Sequence, residues 1–271
     1  ETRRDEIGQL GRSLDAMAEK LSHALTELES ANQALQGEVE RERELDRQRM
    51  AFFHAASHEL KTPVTILKGQ LSGMLEGIGV YQNRDKYLLR SLQVTGRMEN
   101  LVQEMLTISR MEAGAAAMKQ EPVELSALLE EQLKLDAGLL EQRSQHLDKE
   151  LTPGITTVGD AVLLGKVLGN LLSNASLYSP AGAEIRVWCG WQDGRPAVTV
   201  ENTKAHIGEE SLPHLYEAFY REERSRNRAS GGSGLGLYLV KMILDRHGAV
   251  CRIENAADGV RATVCFPAIS D

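Results

Sequence analysis

The heptapeptide Ser57-His58-Glu59-Leu60-Lys61-Thr62-Pro63 holds the side chains best suited to chemistry in this 271-residue chain. His58 stands two residues before Leu60, a member of an apolar seam, and so about 200° around a helix that turns about 100° per residue. It is expected to face solvent, where an imidazole near neutral pH is partly unprotonated and can act as nucleophile or base. Thr62, four residues on, shares its face. Pro63 lacks an N–H, so the Glu59 carbonyl loses its helical partner and the helix can bend beside His58. His54 and His58 also stand at i, i+4, a spacing that can hold zinc. The sequence is not HExxH, however, and no third ligand is evident, which argues against a metal there.

Two further groups suit phosphate and metal. Asn170 and Asn174 are i, i+4 on one helix, so both amides project from the same face. A neutral amide oxygen is a fit ligand for Mg²⁺, which favours oxygen donors and keeps waters and substrate phosphates beside them. Gly232, Gly234 and Gly236 open another helix, whose N-terminal N–H groups and positive dipole end can cradle phosphate. A dinucleotide fingerprint would need a strand directly before those glycines, and here an arginine-rich polar segment, 221–230, precedes them. A Walker-type loop would need Lys-Ser/Thr after them, and none follows.

The elements that must position these groups divide the chain. Ile7, Leu10, Leu14, Met17, Leu21, Ala24, Leu28, Ala31 and Leu35 alternate intervals of three and four, the seam of a coiled coil. It weakens over the charged run 40–49 and resumes as Phe53, Leu60, Val64, Leu67, Leu71 and Met74. One rod from Gly11 to Leu75 would reach about 100 Å. Such a helix cannot bury its own stripe, which implies a homodimer. Gly77, Gly79 and Asn83 mark a turn. A second helix follows, with Leu88, Leu92, Leu101, Met105, Ile108 and Met111 expected on its inner side, ending near Gly114. Two such hairpins would close a four-helix bundle. Beyond Pro122 the pattern mixes helices (125–142, 160–178, 235–246) with strands (184–191, 196–201, 249–254, 261–266), an α/β layer structure with its own core.

Composition narrows the function classes. With 31 basic and 39 acidic residues the net charge is −8, which withholds the usual electrostatic footprint of a nucleic-acid binder. No run of 18 or more apolar residues occurs. The opening residues have no signal-peptide pattern, and without an initiator Met the chain is expected to be a piece of something longer. Cys189, Cys251 and Cys265 share no CxxC spacing and read as buried thiols in a reducing compartment.

The heptapeptide around His58 resembles the phosphoacceptor box of two-component sensor histidine kinases, and further motifs fall in that family's order. Asp5-Glu6-Ile7-Gly8 through Met17-Ala18 resembles the second half of a HAMP relay module. Asn170-Leu171-Leu172-Ser173-Asn174-Ala175 resembles the N box, Tyr216-Glu217-Ala218-Phe219-Tyr220-Arg221 the F box, and Gly232-Ser233-Gly234-Leu235-Gly236-Leu237 the second glycine box. More narrowly, Phe52-Phe53-His54-Ala55-Ala56-Ser57, Ile78-Gly79-Val80-Tyr81 and Ser230-Gly231-Gly232-Ser233 resemble vancomycin-resistance sensor kinases of Gram-positive bacteria.

The resemblance implies a multidomain protein. Its parts would be the C-terminal part of a HAMP module (1–22), a coiled-coil signalling helix (23–50), a dimerisation and phosphotransfer domain (51–116) and a catalytic ATP-binding domain (117–271). The last would be an α/β sandwich of the Bergerat (GHKL) type. His58 would be the phosphoacceptor, Glu59 its general base, and Thr62 the residue that positions water for removal of phosphate from the regulator. ATP would be bound by Asn170, Asn174, Tyr178, Asn202, Arg221, Arg226, Gly232, Gly234, Leu235 and Gly236, and Mg²⁺ by Asn174. Arg224 and Arg228 would be solvated charges of the nucleotide lid. Expected partners are a second copy, a response regulator, and the membrane through missing N-terminal spanning segments, with no direct nucleic-acid contact. The full-length protein would sit at the cell membrane, with this part cytoplasmic.

Two positions depart from the family's pattern. Where its first glycine box reads Asp-x-Gly-x-Gly, this chain has Asn202-Thr203-Lys204-Ala205-His206, so adenine would be read by an amide and the turn is stiffer. Leu177 stands where a basic residue near the phosphates is usual, with Tyr178 beside it to lie against adenine. The other functions open to such a chain are an ATPase that hydrolyses ATP to clamp a dimer, and a signalling scaffold with weakened catalysis.

Overall fold

The computed structural model describes residues 6–112, 118–222 and 232–268. The chain divides into two compact units, Glu1–Ser57 and His58–Asp271. Helix α1 (Glu6–Glu76) begins in the first and ends in the second, passing Pro63 without a break. In the first unit the seam is bare: Leu14, Leu21, Leu28 and Leu35 are 59–67% exposed, since one helix offers its own stripe nothing to pack against. Among the described residues, no helix is long and apolar enough to cross a membrane.

In the second unit, α2 (Arg84–Glu112) runs back along the end of α1. The turn between them holds a short 3₁₀ segment, Gly79–Gln82. Tyr81 folds its ring onto Gly73, where any Cβ would stand 2.4 Å from the ring, and its ring lies tilted against that of Tyr87, with centroids 4.6 Å apart. Ser91 Oγ donates to Gln70 Oε1 at 2.8 Å and sets the register of the pair. The inner face of α2 is Tyr87, Ser91, Val94, Leu101, Ile108 and Met111. Leu101, Ile108 and Met111 of the expected stripe are on it, while Leu88 and Leu92 are 50% and 69% exposed in the single chain. The latter two lie one position, about 100°, off the row that packs on α1, a row in which Ser91 bonds Gln70. On α1, Met74 is buried and Leu60 and Leu67 partly so, while Val64 and Leu71 remain outside.

The remainder is the α/β unit. Strands β1 (Glu121–Glu124) and β3 (Thr156–Gly159) pair antiparallel. A five-stranded sheet has the order β2-β4-β5-β7-β6, made of β2 (His146–Leu151), β4 (Glu184–Gln192), β5 (Arg195–Thr203), β6 (Val250–Ala256) and β7 (Gly259–Cys265). Only β2 and β4 run parallel. Helices α3 (Leu125–Gln142), α4 (Ala161–Leu177) and α5 (Gly236–Arg246) match the expected ones within a residue or two. Leu168, Leu172, Leu239 and Ile243 of these helices are buried with Ile185, Val187, Val198 and Val264 of the sheet, and this is the core. The sheet also carries a polar ladder, in which Glu201 accepts from Arg186 at 3.1 Å and Arg261 at 2.7 Å.

The expected strands are present, but β1, β2 and β3 were not anticipated. β2 reads His-Leu-Asp-Lys-Glu-Leu with five of six residues exposed, so an edge strand of this kind carries no alternation to recognise. Of the cysteines only Cys189 is fully buried, and burial pushes its thiol up to about 11. Cys251, on the edge strand β6, and Cys265, the last residue of β7, are half-buried.

Candidate functional site

A cavity of about 480 Å³ opens between the end of α4, the end of β5 and the segment 205–222, a size that suits a nucleotide-scale ligand. Asn174, Tyr178, Asn202 and Arg221 line it, as the sequence reading places them in one nucleotide site. Helix α4 is fixed at both ends. Asp160 caps its start, accepting from Val162 N–H at 3.0 Å and Leu163 N–H at 3.1 Å. At its other end Arg143 donates to Ser176 O at 2.9 Å, and Gln145 Nε2 donates to the same oxygen at 2.9 Å. These bonds satisfy last-turn carbonyls that the helix leaves open, and so hold Asn174 and Tyr178 at the cavity.

Asn202 is buried, and its neighbour settles which way its amide faces. Ser179 Oγ donates its one proton to Ala175 O at 2.6 Å. It can therefore only accept from Asn202, and the Nδ2 group faces it at 2.8 Å. Oδ1 is left as the group for the cavity, an acceptor suited to an exocyclic amine. The next residues carry the altered glycine box. Lys204 takes φ +59°, the left-handed region where glycine is at ease, with its N–H bonded to Asp258 O at 2.7 Å and its Nζ to Gly182 O at 3.1 Å. His206, in the place of the second glycine, lines the cavity.

Ile207, Leu215, Tyr220, Glu222 and Leu237 also line it and were not foreseen. Tyr220 lies within the F-box string, so the motif itself pointed to it. Ile207 and Leu215 lie in a segment without periodicity, and nothing local marks them. Tyr216 anchors the segment, donating to Cys251 O at 2.9 Å, and burial raises its phenol far above the ordinary value.

The F box and the second glycine box prove to be one structure. Phe219 has φ +64° and its N–H donates to Gly234 O at 2.9 Å. Gly234 has φ +76°, and a Cβ there would stand 2.8 Å from the Phe219 backbone. Only glycine fits that approach. Beyond it Leu235 N–H donates to Ser233 Oγ at 3.1 Å, and α5 begins at Gly236. Asn170 packs its Oδ1 against Gly236 and donates Nδ2 to Lys166 O at 2.9 Å. It lines not the nucleotide-sized cavity but a separate groove beside α2 and α3. Gly234, Leu235 and Gly236 adjoin the cavity without lining it. Arg226, with Arg224 and Arg228, lies outside the described residues.

A second cleft, of about 370 Å³, has Glu59 and Thr62 on one side and Arg221, Gly232 and Ser233 on the other. Arg221 thus stands in the walls of both cavities. His58 does not line either one. Its side chain is 75% exposed, with Nδ1 3.9 Å from Glu59 Oε1, and Thr62 Oγ1 donates to the His58 carbonyl at 3.4 Å. The glycine box is tied to α2 by Ser233 Oγ, which donates to Glu104 Oε2 at 2.7 Å, and α4 is tied to it by Lys166 Nζ, which donates to Thr107 Oγ1 at 2.7 Å. Burial raises the Glu104 carboxyl above its usual range, partly offset by the Ser233 bond and Lys166. Burial, with Arg110 nearby, lowers Lys166. Among the described residues no group of three His, Cys, Asp or Glu side chains could hold a metal. A metal in the first cavity would therefore take Asn174 as an oxygen ligand and complete its shell from water and ligand, which is how Mg²⁺ binds.

The family model described as the His Kinase A (phospho-acceptor) domain matches residues 48–114, and that described as histidine kinase-, DNA gyrase B- and HSP90-like ATPase matches residues 159–270. The sensor protein VanSB of Enterococcus faecalis is 33% identical over 268 residues, covering 99% of this chain and 58% of that protein. This agrees with the narrower resemblance to vancomycin-resistance sensors. The chain thus spans little more than half the length of such relatives. In fold it is similar to the Acinetobacter baumannii histidine kinase AdeS, with TM-score 0.65 and 23% identity over 79% of this chain and 98% of that one. It is also similar to histidine kinase ThkA, solved in complex with response regulator protein TrrA, with TM-score 0.63 and 21% identity over 79% of this chain and 60% of that one.

Proposed function

The chain belongs to the two-component sensor histidine kinases, and on that footing we propose that it is the kinase core of a longer membrane sensor, transferring the γ-phosphoryl group of ATP to His58. The observation that carries the reading is Arg221, shared between the cavity lined by Asn174 and Asn202 and the cleft lined by Glu59 and Thr62. A nucleotide whose base lies at Asn202 and Tyr178 would present its terminal phosphate past Arg221, toward the phosphoacceptor helix.

In the reaction, His58 Nε2 attacks the γ-phosphorus. The N–P bond forms as the bond from that phosphorus to the bridging oxygen breaks, and ADP leaves with the electron pair. The ring then sheds its Nδ1 proton to Glu59. At 3.9 Å the carboxylate must close by about 1 Å to accept it. Arg221, with Arg226 of the lid, offsets charge on the transferring group. Mg²⁺ held by Asn174 would supply further neutralisation of the phosphates. Asn170 acts at one remove, keeping the start of α5 in place through Gly236. Because His58 is exposed, it must be brought to the nucleotide before transfer, a conformational step of the kind that often sets such rates.

The phosphoryl group then passes to an aspartate of a response regulator, a reading supported by the fold's likeness to ThkA, which was solved with such a protein. Thr62 would orient water for the reverse task, dephosphorylation of the regulator. A second copy would cover the bare leucines of α1 and the outward Val64, Leu71, Leu88 and Leu92, closing a four-helix bundle. Signals would arrive along the seam from membrane segments outside this chain. Inserting or deleting residues near Val39 should change kinase activity, and unchanged activity would refute the relay.

The deciding experiment is incubation with γ-labelled ATP and Mg²⁺, comparing the parent with His58→Gln. Acid-labile, alkali-stable label that disappears in the variant is expected. Hydrolysis of ATP without labelled protein would favour the ATPase clamp, and failure to bind any nucleotide would favour the scaffold.

A further inference from the structure

The cleft lined by Glu59 and Thr62 has a third wall that the catalytic reading does not use. Arg90 and Arg97 of α2 line it together with Arg221, against a single carboxylate, Glu59. Neither Arg90 nor Arg97 has an acidic partner within ion-pair distance among the described residues. Arg90 rests 5.3 Å from the Tyr87 ring. Arg97 spends only Nε, donating to Gln93 O at 3.4 Å, and its two terminal nitrogens stay available.

Register places Arg97 close to Thr62 along the hairpin. The Ser91–Gln70 bond matches those residues across the antiparallel pair. Six residues on from Ser91 is Arg97, which stands level with the stretch between Thr62 and Ile66. Gly232 and Ser233 close the opposite side of the cleft. The guanidinium groups of Arg90 and Arg97, without carboxylate partners among the described residues, suit a tetrahedral oxyanion, which such groups bind through paired N–H bonds.

We propose that this cleft is a phosphoryl-oxyanion site, with Arg97 as a direct ligand of the phosphoryl group beside Thr62. The phosphoryl group comes from the terminal phosphate of the nucleotide or from free phosphate, and the first source rests on the kinase reading above. Arg97 is then the residue by which the second helix of the hairpin takes part in transfer, through a contact made only when a terminal phosphate is present.

The test follows the arginine Nε–H signals of the whole chain by NMR, assigned with R97K, R90K and R221K. ADP is expected to leave the Arg97 signal in place. A non-hydrolysable analogue of ATP should move it if the nucleotide delivers the group, and inorganic phosphate added to the ADP-saturated protein should move it if the site takes free phosphate. Arg97→Gln should weaken whichever ligand responds by about tenfold or more while leaving ADP affinity unchanged. An Arg97 signal that neither probe moves, or unchanged affinity in Arg97→Gln, overturns the proposal. Absence of label on His58 in the parent overturns the kinase reading alone, since the phosphate titration does not depend on transfer.

Discussion

Replacing Ser179 with alanine probes how the cavity would tell one base from another. The hydroxyl satisfies Ala175 O at 2.6 Å and receives Asn202 Nδ2 at 2.8 Å, and both Ser179 and Asn202 are less than a tenth exposed. Losing two bonds of about 0.5–1.5 kcal/mol each, with Nδ2 left buried, should lower stability by about 2–3 kcal/mol. The functional effect is separate. With Nδ2 committed to Ser179, Asn202 offers Oδ1 to an adenine amine and opposes guanine, whose O6 is also an acceptor. An unmet buried pair of that kind costs about 1–3 kcal/mol, so the parent should prefer ADP over GDP by roughly tenfold to a hundredfold. In Ser179→Ala the amide can rotate and present Nδ2 to O6, and the preference should fall to within a few-fold. Calorimetric titration with ADP and GDP, run with urea unfolding on the same samples, separates the two effects. Ser179→Thr keeps the hydroxyl and should keep the preference. An unchanged ADP:GDP ratio in a variant destabilised as expected would refute the reasoning, because Ser179 would then support the fold without orienting the base-reading group.

Gly234→Ala should cost at least about 2 kcal/mol, since a left-handed backbone charges an L-residue about 1–2 kcal/mol and the new Cβ would meet Phe219 backbone at 2.8 Å; urea midpoints check this, with nucleotide affinity expected to fall as well. Lys204→Gly relieves the strain at φ +59° and should stabilise the chain by up to about 1 kcal/mol, the gain being limited by glycine's greater unfolded-state entropy and the lost bond to Gly182, as read by thermal melting. The raised carboxyl of Glu104 gives a pH dependence of definite sign. The folded chain holds that proton more tightly than the unfolded one, so this contribution to stability falls as pH rises from the ordinary carboxylate range through the raised value, and is level above it. Glu104→Gln keeps an acceptor for Ser233 and should remove that slope, leaving the variant more stable than the parent near neutrality; urea midpoints from about pH 4 to 8 test it.

Much of this protein is local and was therefore legible. The long α1 follows from a seam spaced by threes and fours, and the solvent-facing His58 from its offset to Leu60, because helical geometry fixes both from residue spacing alone. The apolar runs of α4 and α5 are local in the same sense. Order along the chain also made the family recognisable, since its boxes are short strings that need no folding to be read. Other features depend on partners distant in sequence. β2 is a strand because β4 lies beside it, and its own exposed, charged residues carry no period. Ser91 lies in the row of α2 that packs on α1 because Gln70, 21 residues earlier, accepts its hydroxyl. The sense of the Asn202 amide is decided by where Ser179 spends its proton, and the need for Gly234 by Phe219 fifteen residues before it. That Asn170 serves the start of α5, and that Arg221 joins two cavities, likewise emerges only when α4, α5 and the hairpin are packed together. Spacing along one helix fixes direction about one axis, whereas which groups share a site depends on how the separate axes are placed, and burial across the whole unit decides that.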